Sequence, residues 1–555
     1  MSSTDPTDRV SAPASDRATA RLERWERRLF IGLVAAAIAP FWTTRWTPTM
    51  DGPIHLYVLE VMRSFVLDGV ASPYRGAFEL NAFVEPNLGF YLLGLPLSFV
   101  LPLPIVEKAV LSLAVAAFCL GGASLMRAAG GPRWAFAALL VPLSTHFFVH
   151  QGFHNSVVGI AVMLVALAFA VRHPPAWHAR TLVAYTLVTL ALVLVHLVAL
   201  AAFGLAVGWH LVGSAIGRWI VDRRAGPAVR SLVASGTALA SAALPALVLT
   251  ASFLVRHDAS TALAVDDSLR DRIAHVVWLT WLTGYSTLEL AWLAPFVIVV
   301  GLLVLASGLA LLRATAEVRA RAAPALVVTL GLMLVVVFGF GNARDVGIGD
   351  RLTVVAATAA LAFIAAVRPG IAARRIALAL AVTVTLVNGA YRTVQYQRYD
   401  AALERYVALA HSAPEGSAVL GVRLDESSMA LLDPSLERPT FPLLHAAALV
   451  AIDRQGVYLG ATLLSRGRFG YFPIVYTPTV DPFPRIGTHE TVPPRLDLDA
   501  YEADGGLRLD AVILIGHDDP TETLGYVRTA APWADGFVLT ASDARFRLHL
   551  LTRRD

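Results

Sequence analysis

Eleven apolar windows, at 29–46, 105–126, 134–150, 156–172, 180–195, 197–216, 231–255, 288–312, 324–340, 352–367 and 376–391, are long enough to cross the roughly 30 Å hydrocarbon core of a bilayer as helices. Lipid offers no partner to a backbone N–H or C=O, so an open crossing segment must satisfy those groups within itself, and each window is predicted to be helical. Composition agrees: 56% of the residues are hydrophobic and 15% charged, against about 25% charged in an ordinary soluble domain. The chain is therefore predicted to be a polytopic α-helical membrane protein.

Charge and cysteine usage narrow the class further. Lys and Arg number 45 against 41 Asp and Glu, a net charge of +4, and the arginines are scattered between the apolar windows. No basic face forms, so nucleic acid is not expected as a partner, and the arginines read as topology determinants. Cys119 is the only cysteine and lies inside a window, which excludes a disulfide, a thiolate metal cluster and a redox cysteine pair. The first 20 residues, rich in Ser, Thr, Ala, Pro and Asp, are expected to be disordered. Behind them "RLERWERRLFIGLVAAAIAPFW" has the order of a signal sequence and is expected to remain as an uncleaved anchor.

The stretch 88–104, "LGFYLLGLPLSFVLPLP", is apolar, but three prolines crowd its second half, and it is expected to dip into the membrane rather than cross it. With eleven spans, Arg21, Arg24, Arg27 and Arg28 then share one side with every later arginine-rich short loop: Arg127 and Arg133, Arg172 and Arg180, Arg218 to Arg230, Arg313 to Arg321, and Arg368 to Arg375. That side is cytoplasmic by the positive-inside rule. The expected plan is a cytoplasmic tail over 1–28, a transmembrane domain over 29–391 with a first outer loop at 47–104, and an extracytoplasmic α/β domain over 392–555. In that last domain "SAVLGVRL" and "DAVILIGHD" read as strands, "PTETLGYVRTAAPW" as a helix and "GFVLTASDARFRLHLLTRR" as a closing hairpin. The intervening "FGYFPIVYTPTVDPFPRIGTHETVPP" reads as a long loop against the membrane mouth.

The same topology gathers polar residues at the outer face. Asp51 and His55 begin the first outer loop; Glu85, Asn87 and Tyr91 lie where the chain re-enters the membrane; His150, His154 and Asn155 form the second outer turn; His196 marks the third; Arg344 and Arg351 bracket the fifth. Each also has a plain structural role open to it. Asp51 can cap the helix "PIHLYVLEVMRSFVL" with Pro53 in its first turn, and His55 can sit on an amphipathic interfacial helix. Glu85 and Asn87 can cap the helix at 88, His196 can bond locally at a span end, and the arginines can snorkel. Taken together, a carboxylate that can accept a hydroxyl proton and guanidinium groups suited to a phosphate or pyrophosphate leaving group describe transfer from a phosphate-linked lipid at a membrane surface.

Met50-Asp51-Gly52-Pro53-Ile54-His55, following the first span, and Val84-Glu85-Pro86-Asn87-Leu88-Gly89-Phe90-Tyr91 resemble the acidic juxtamembrane motif and the Glu-Lys-Pro-like stretch of GT-C membrane glycosyltransferases, which include protein O-mannosyltransferases and lipid A aminoarabinose transferases. The resemblance implies Asp51 as general base, a polyprenyl-phosphate or polyprenyl-diphosphate sugar as donor, an envelope glycan, lipid or protein as acceptor, and displacement with inversion at the anomeric carbon. It implies the inner membrane as the location, with His55, Glu85, Asn87, Tyr91, His150, His154, Asn155, His196, Arg344 and Arg351 around the substrates. Two departures stand out: Gly52 takes the place of a second acid, and the turn "HQGFHNS" holds no carboxylate. A divalent metal is left open, since His150 and His154 at i, i+4 would share a face if that turn were helical. The competing readings are a transporter or flippase of a lipid-linked saccharide, for which repeated halves would be expected, and a non-catalytic scaffold in envelope polysaccharide assembly.

Overall fold

The computed structural model describes residues 14–131, 133–257, 268–339, 347–424, 440–466, 470–483, 496–516 and 532–554. Among them, eight helices are long and apolar enough to cross a membrane: Leu103–Ala128, His154–Arg172, Leu197–Asp222, Ala225–Arg256, Thr287–Leu312, Ala316–Gly339, Ile348–Val367 and Ile371–Ser412. The apolar window of Thr287–Leu312 is only 11% buried, and that of Ala225–Arg256 only 17%. Apolar surface on that scale is unstable in water, so these faces belong in lipid. By contrast, Ile348–Val367 is 89% buried and forms the centre of the bundle. The chain is a multi-pass membrane protein.

Other windows take different forms. Helix Ala14–Ile38 begins inside the segment expected to be disordered; its Ala, Arg, Leu and Glu are strong helix formers, and Glu26 anchors it by a two-oxygen pair to Arg374. The window 134–150 is no single helix but three short ones, Arg133–Ala137, Leu140–Ser144 and Phe147–Gln151. Pro142 lacks the N–H that would continue the first into the second, and Ser144 turns its hydroxyl back onto the Val141 carbonyl. Gly89–Ser98 has ten residues, about 15 Å of helix, half the hydrocarbon thickness. Ala179–Val195 is also short, with 17 residues.

The last long helix runs unbroken past position 391 to Leu409. After it come strands β2 (Ala418–Arg423), β3 (Val457–Tyr458), β5 (Ala511–Ile515), β6 (Phe537–Asp543) and β7 (Leu548–Arg553), in the spatial order β3-β2-β5-β7-β6. β2 is parallel to both β3 and β5, whereas β5, β7 and β6 are antiparallel. Every residue of β5 is buried, as expected for a strand covered on both faces. The expected strands and hairpin are present; the expected helix over 520–533 lies almost wholly outside the described residues.

The presumed long loop after position 468 contains a strand. β4 (Ile474–Tyr476) pairs antiparallel with β1 (Phe78–Leu80), Phe78 opposite Tyr476. Ile474, Val475 and Tyr476 are β-branched or aromatic, the types that favour strands, and all three are buried; the sequence offered no sign that the partner strand stood about 400 residues upstream. Asn81 reinforces the join by donating to the Gly470 and Phe472 carbonyls. Helix Ala447–Asp453, between β2 and β3, packs on helix Gly52–Leu67. The C-terminal segment thereby covers helix Gly52–Leu67 and pairs with β1.

Candidate active site

Asp51 stands immediately before helix Gly52–Leu67, whose first turn holds Pro53, as the sequence predicts, but its side chain makes no capping bond. Its backbone is held from elsewhere. The Met50 N–H donates to the His150 carbonyl at 3.1 Å, and the Asp51 N–H to that of Gln151 at 2.9 Å. Gly152 makes this approach possible: it closes helix Phe147–Gln151 with φ +78°, and a Cβ there would lie 2.5 Å from the Gly52 nitrogen. The turn "HQG" thus acts as a backbone cradle for the acid.

The carboxylate itself, on a residue 6% exposed, has Oδ1 3.6 Å from Nε2 of His445. The Nδ1 of His445 is 3.0 Å from the Tyr458 hydroxyl, so β3 orients the imidazole. The Gln151 amide donates to Thr440, a second tie between the turn and the C-terminal segment. Sequence reasoning passed over His445 because it lies far downstream in an apolar stretch with no motif.

Gly52 explains the missing second acid. A Cβ at position 52 would lie 2.1 Å from Thr49 Oγ1 and 2.5 Å from Glu107 Oε1, so no side chain fits. The space is already taken by a carboxylate from helix Leu103–Ala128: Glu107 is buried and its Oε1 is 2.8 Å from His154 Nε2. Next to it, Lys108 donates to the Thr44 carbonyl. A signal for this pair was present, since Glu and Lys at the edge of an apolar window are costly unless they have a task.

His154 stacks on His55 with ring centroids 5.1 Å apart, and His55 Nδ1 lies 2.6 Å from the Tyr91 hydroxyl. Phe472, brought in beside β4, forms the next wall, 5.7 Å from the His55 ring. Burial disfavours the charged imidazole, and His154 nearby adds to the effect, so the His55 pKa is held well below its ordinary value. Asn155 accepts from the Phe90 N–H at 2.7 Å and so fixes the start of helix Gly89–Ser98 beside the site.

Asp51, His55, Tyr91, His154 and Asn155 therefore lie close together, while other expected members do not. His150 turns away from His154, its ring 4.7 Å from Tyr285; the left-handed Gly152 between them breaks the helix that a shared metal face would need. Among the described residues no group of three His, Cys, Asp or Glu side chains is placed to hold a metal ion. Glu85 caps nothing: both its oxygens lie 3.0 Å from Nη2 of Arg256, over which Phe83 stacks. Asn87 takes a turn conformation with φ +89°. His196 caps helix Leu197–Asp222 by accepting from the Val198 N–H at 3.2 Å, the local role open to it from the sequence.

Arg351 is buried, with its guanidinium over Phe148 at 4.9 Å and Phe153 at 5.4 Å. With Ser156 and His196 it lines a narrow cavity. Arg344 lies outside the described residues.

No family model matches the chain, and no match is found among curated proteins. Among solved structures, it is similar to ArnT from Cupriavidus metallidurans in the apo state, at 16% identity and a TM-score of 0.48 over 96% of this chain and 98% of that one. It is also similar to the arabinofuranosyltransferase AftD from Mycobacteria, at 16% identity and a TM-score of 0.45 over 95% of this chain and 40% of that one.

Proposed function

We propose that the protein is a membrane glycosyltransferase. It takes a sugar from a polyprenyl-phosphate-linked donor and gives it to an envelope glycan, lipid or protein at the extracytoplasmic face of the inner membrane, with its N-terminus cytoplasmic. The observation that carries this reading is the buried Asp51 carboxylate, which leaves the helix uncapped and faces His445 where a lipid-embedded bundle meets a polar cover.

In the proposed step, Asp51 takes the proton of the acceptor hydroxyl, whose oxygen forms the new bond to the anomeric carbon. The bond from that carbon to the phosphate oxygen breaks, its electron pair leaves on the phosphate, and the configuration inverts. His445, oriented by Tyr458, steadies the aspartate. His55, Tyr91, His154 and Asn155 shape the sugar side, and Arg351 of the two arginines singled out in sequence is in reach of the turn to offset phosphate charge.

The test begins with mass spectrometry of co-purified lipids, followed by incubation with the identified carrier and an assay of sugar release. Asp51→Asn should fold normally and lose about 100-fold or more of the transfer rate, the scale of a general base. Full activity in that variant overturns the assignment.

A further inference from the structure

Arg392, on helix Ile371–Leu409, is buried among tyrosines and histidines, yet its Nε and Nη2 have no hydrogen-bond partner. No carboxylate among the described residues forms an ion pair with it. Its charge is within electrostatic reach of His146, His150, Tyr285 and Tyr396. Along the same helix face, at the i, i+4 and i+7 spacing that stacks side chains, Asn388 Oδ1 and Gln395 Oε1 are likewise buried without partners. Buried polar groups are nearly always satisfied in a folded protein, and an unpaired buried guanidinium is among the costlier exceptions.

We propose that this stripe is the subsite for the phosphate-bearing sugar headgroup of the lipid donor, with Arg392 as its anion-binding residue. This rests on the glycosyltransferase reading and moves the principal phosphate contact from Arg351 to Arg392. The chemistry discriminates between them. Arg351 has two phenyl rings against its guanidinium and only Nε left without a partner, whereas Arg392 keeps both Nε–H and an Nη2–H, the edge of the fork that takes two oxygens of a phosphate. The amide oxygens one turn to either side accept from hydroxyls, and a sugar carries hydroxyls beside its phosphate.

The position suits the reaction. Tyr396 places its hydroxyl 3.5 Å from His150 Nδ1, and the His150 carbonyl is the one that accepts from Met50, next to Asp51. Tyr285 donates to the Pro48 carbonyl at 2.6 Å, so the aromatic wall of the stripe is tied to the strand of chain that leads into the acid. Tyr285 is itself fixed by Glu289, which accepts its N–H at 2.6 Å. An anion at Arg392 would therefore lie just beneath the segment that ends in the proposed base.

The test uses the full chain in detergent, with geranylgeranyl phosphate, geranylgeraniol and inorganic phosphate as probes, and reads both binding and melting temperature. The lipid phosphate should raise the melting temperature of the wild type, with geranylgeraniol and inorganic phosphate giving much smaller shifts at equal concentration. Arg392→Gln should weaken lipid-phosphate binding about tenfold or more, leave geranylgeraniol unaffected, and raise the melting temperature of the unliganded protein because an uncompensated charge is gone. Arg392→Lys should recover part of the binding. Unchanged lipid-phosphate binding in Arg392→Gln overturns the proposal, as does inorganic phosphate matching the lipid. If Arg392→Gln binds normally while Asp51→Asn abolishes transfer, the subsite falls and the glycosyltransferase reading stands.

Discussion

Oε1 of Glu107 lies 2.8 Å from Nε2 of His154, with both side chains shut off from solvent. These residues are 47 positions apart, and their contact places a carboxylate against the glycine that follows Asp51. Truncating one partner strands the other in a low-dielectric site, where a buried unpaired group costs about 3 kcal/mol. Glu107→Ala should accordingly lower the melting temperature in detergent by several degrees, while Glu107→Gln, which keeps an oxygen in place, should cost much less. Equal melting temperatures for the two variants would mean that the contact contributes shape and no polar pairing.

Gly52 yields the next expectation. A methyl group at this position meets Thr49 Oγ1 at 2.1 Å and Glu107 Oε1 at 2.5 Å, and relief requires either the Thr49 segment or Glu107 to move. Gly52→Ala should therefore destabilise by about 1–3 kcal/mol, the usual range for overpacking. It should also reduce any transfer activity, because Asp51 is the adjacent residue. Gly52→Glu, which writes a pair of acids into the sequence, should be worse than Gly52→Ala in both assays rather than better. A more active Gly52→Glu would show that the space can open.

How far the sequence was legible depended on whether its signals were local. Apolar windows reported helices well, because a helix closes its hydrogen bonds within itself, and Asp51, His55, Tyr91, His154 and Asn155 fell at loop ends that the topology placed on one face. The failures concern partners distant along the chain. Nothing around Phe78–Leu80 announces Ile474–Tyr476 as its pairing strand, nor His445 as the neighbour of Asp51. Glu107, Lys108 and Arg392 were legible and passed over: each is an ionisable residue in or at the end of an apolar run, and such residues are expensive there without a partner or a function. The window 134–150 misled because hydropathy does not register what Pro142 does to a helix.

Glu85 was expected to touch substrate, and its geometry favours a structural tie. Both of its oxygens are engaged by Arg256, and His257 Nε2 lies 3.4 Å away. The pair joins the segment before helix Gly89–Ser98 to the end of helix Ala225–Arg256 across 171 positions of chain. A double-mutant cycle on Glu85→Gln and Arg256→Gln should show a coupling of about 1 kcal/mol, toward the lower end for such a pair because Arg256 is partly exposed. Both single variants should depress activity and stability to the same degree, with little further loss in the double variant. Additive effects would return Glu85 to the substrate side.

The pH dependence of stability follows from His55. Burial, then the neighbouring His154, hold its folded pKa well below the ordinary value of 6.5, whereas in the unfolded chain it returns to about 6.5. Between those two values the unfolded state carries a proton that the folded state does not, so stability rises with pH across the window. The contribution is fully present above pH 6.5 and is lost as the pH falls below it, at up to about 1.4 kcal/mol per pH unit for one proton. Denaturation in detergent at pH 7.5 and pH 5.5 should show a marked loss at the lower value. In His55→Asn, which keeps a polar group near the Tyr91 hydroxyl but does not titrate, the loss should shrink by about the contribution of one proton. Wild type and variant losing equal stability between the two pH values would remove His55 as the cause and transfer the effect to the other buried histidines.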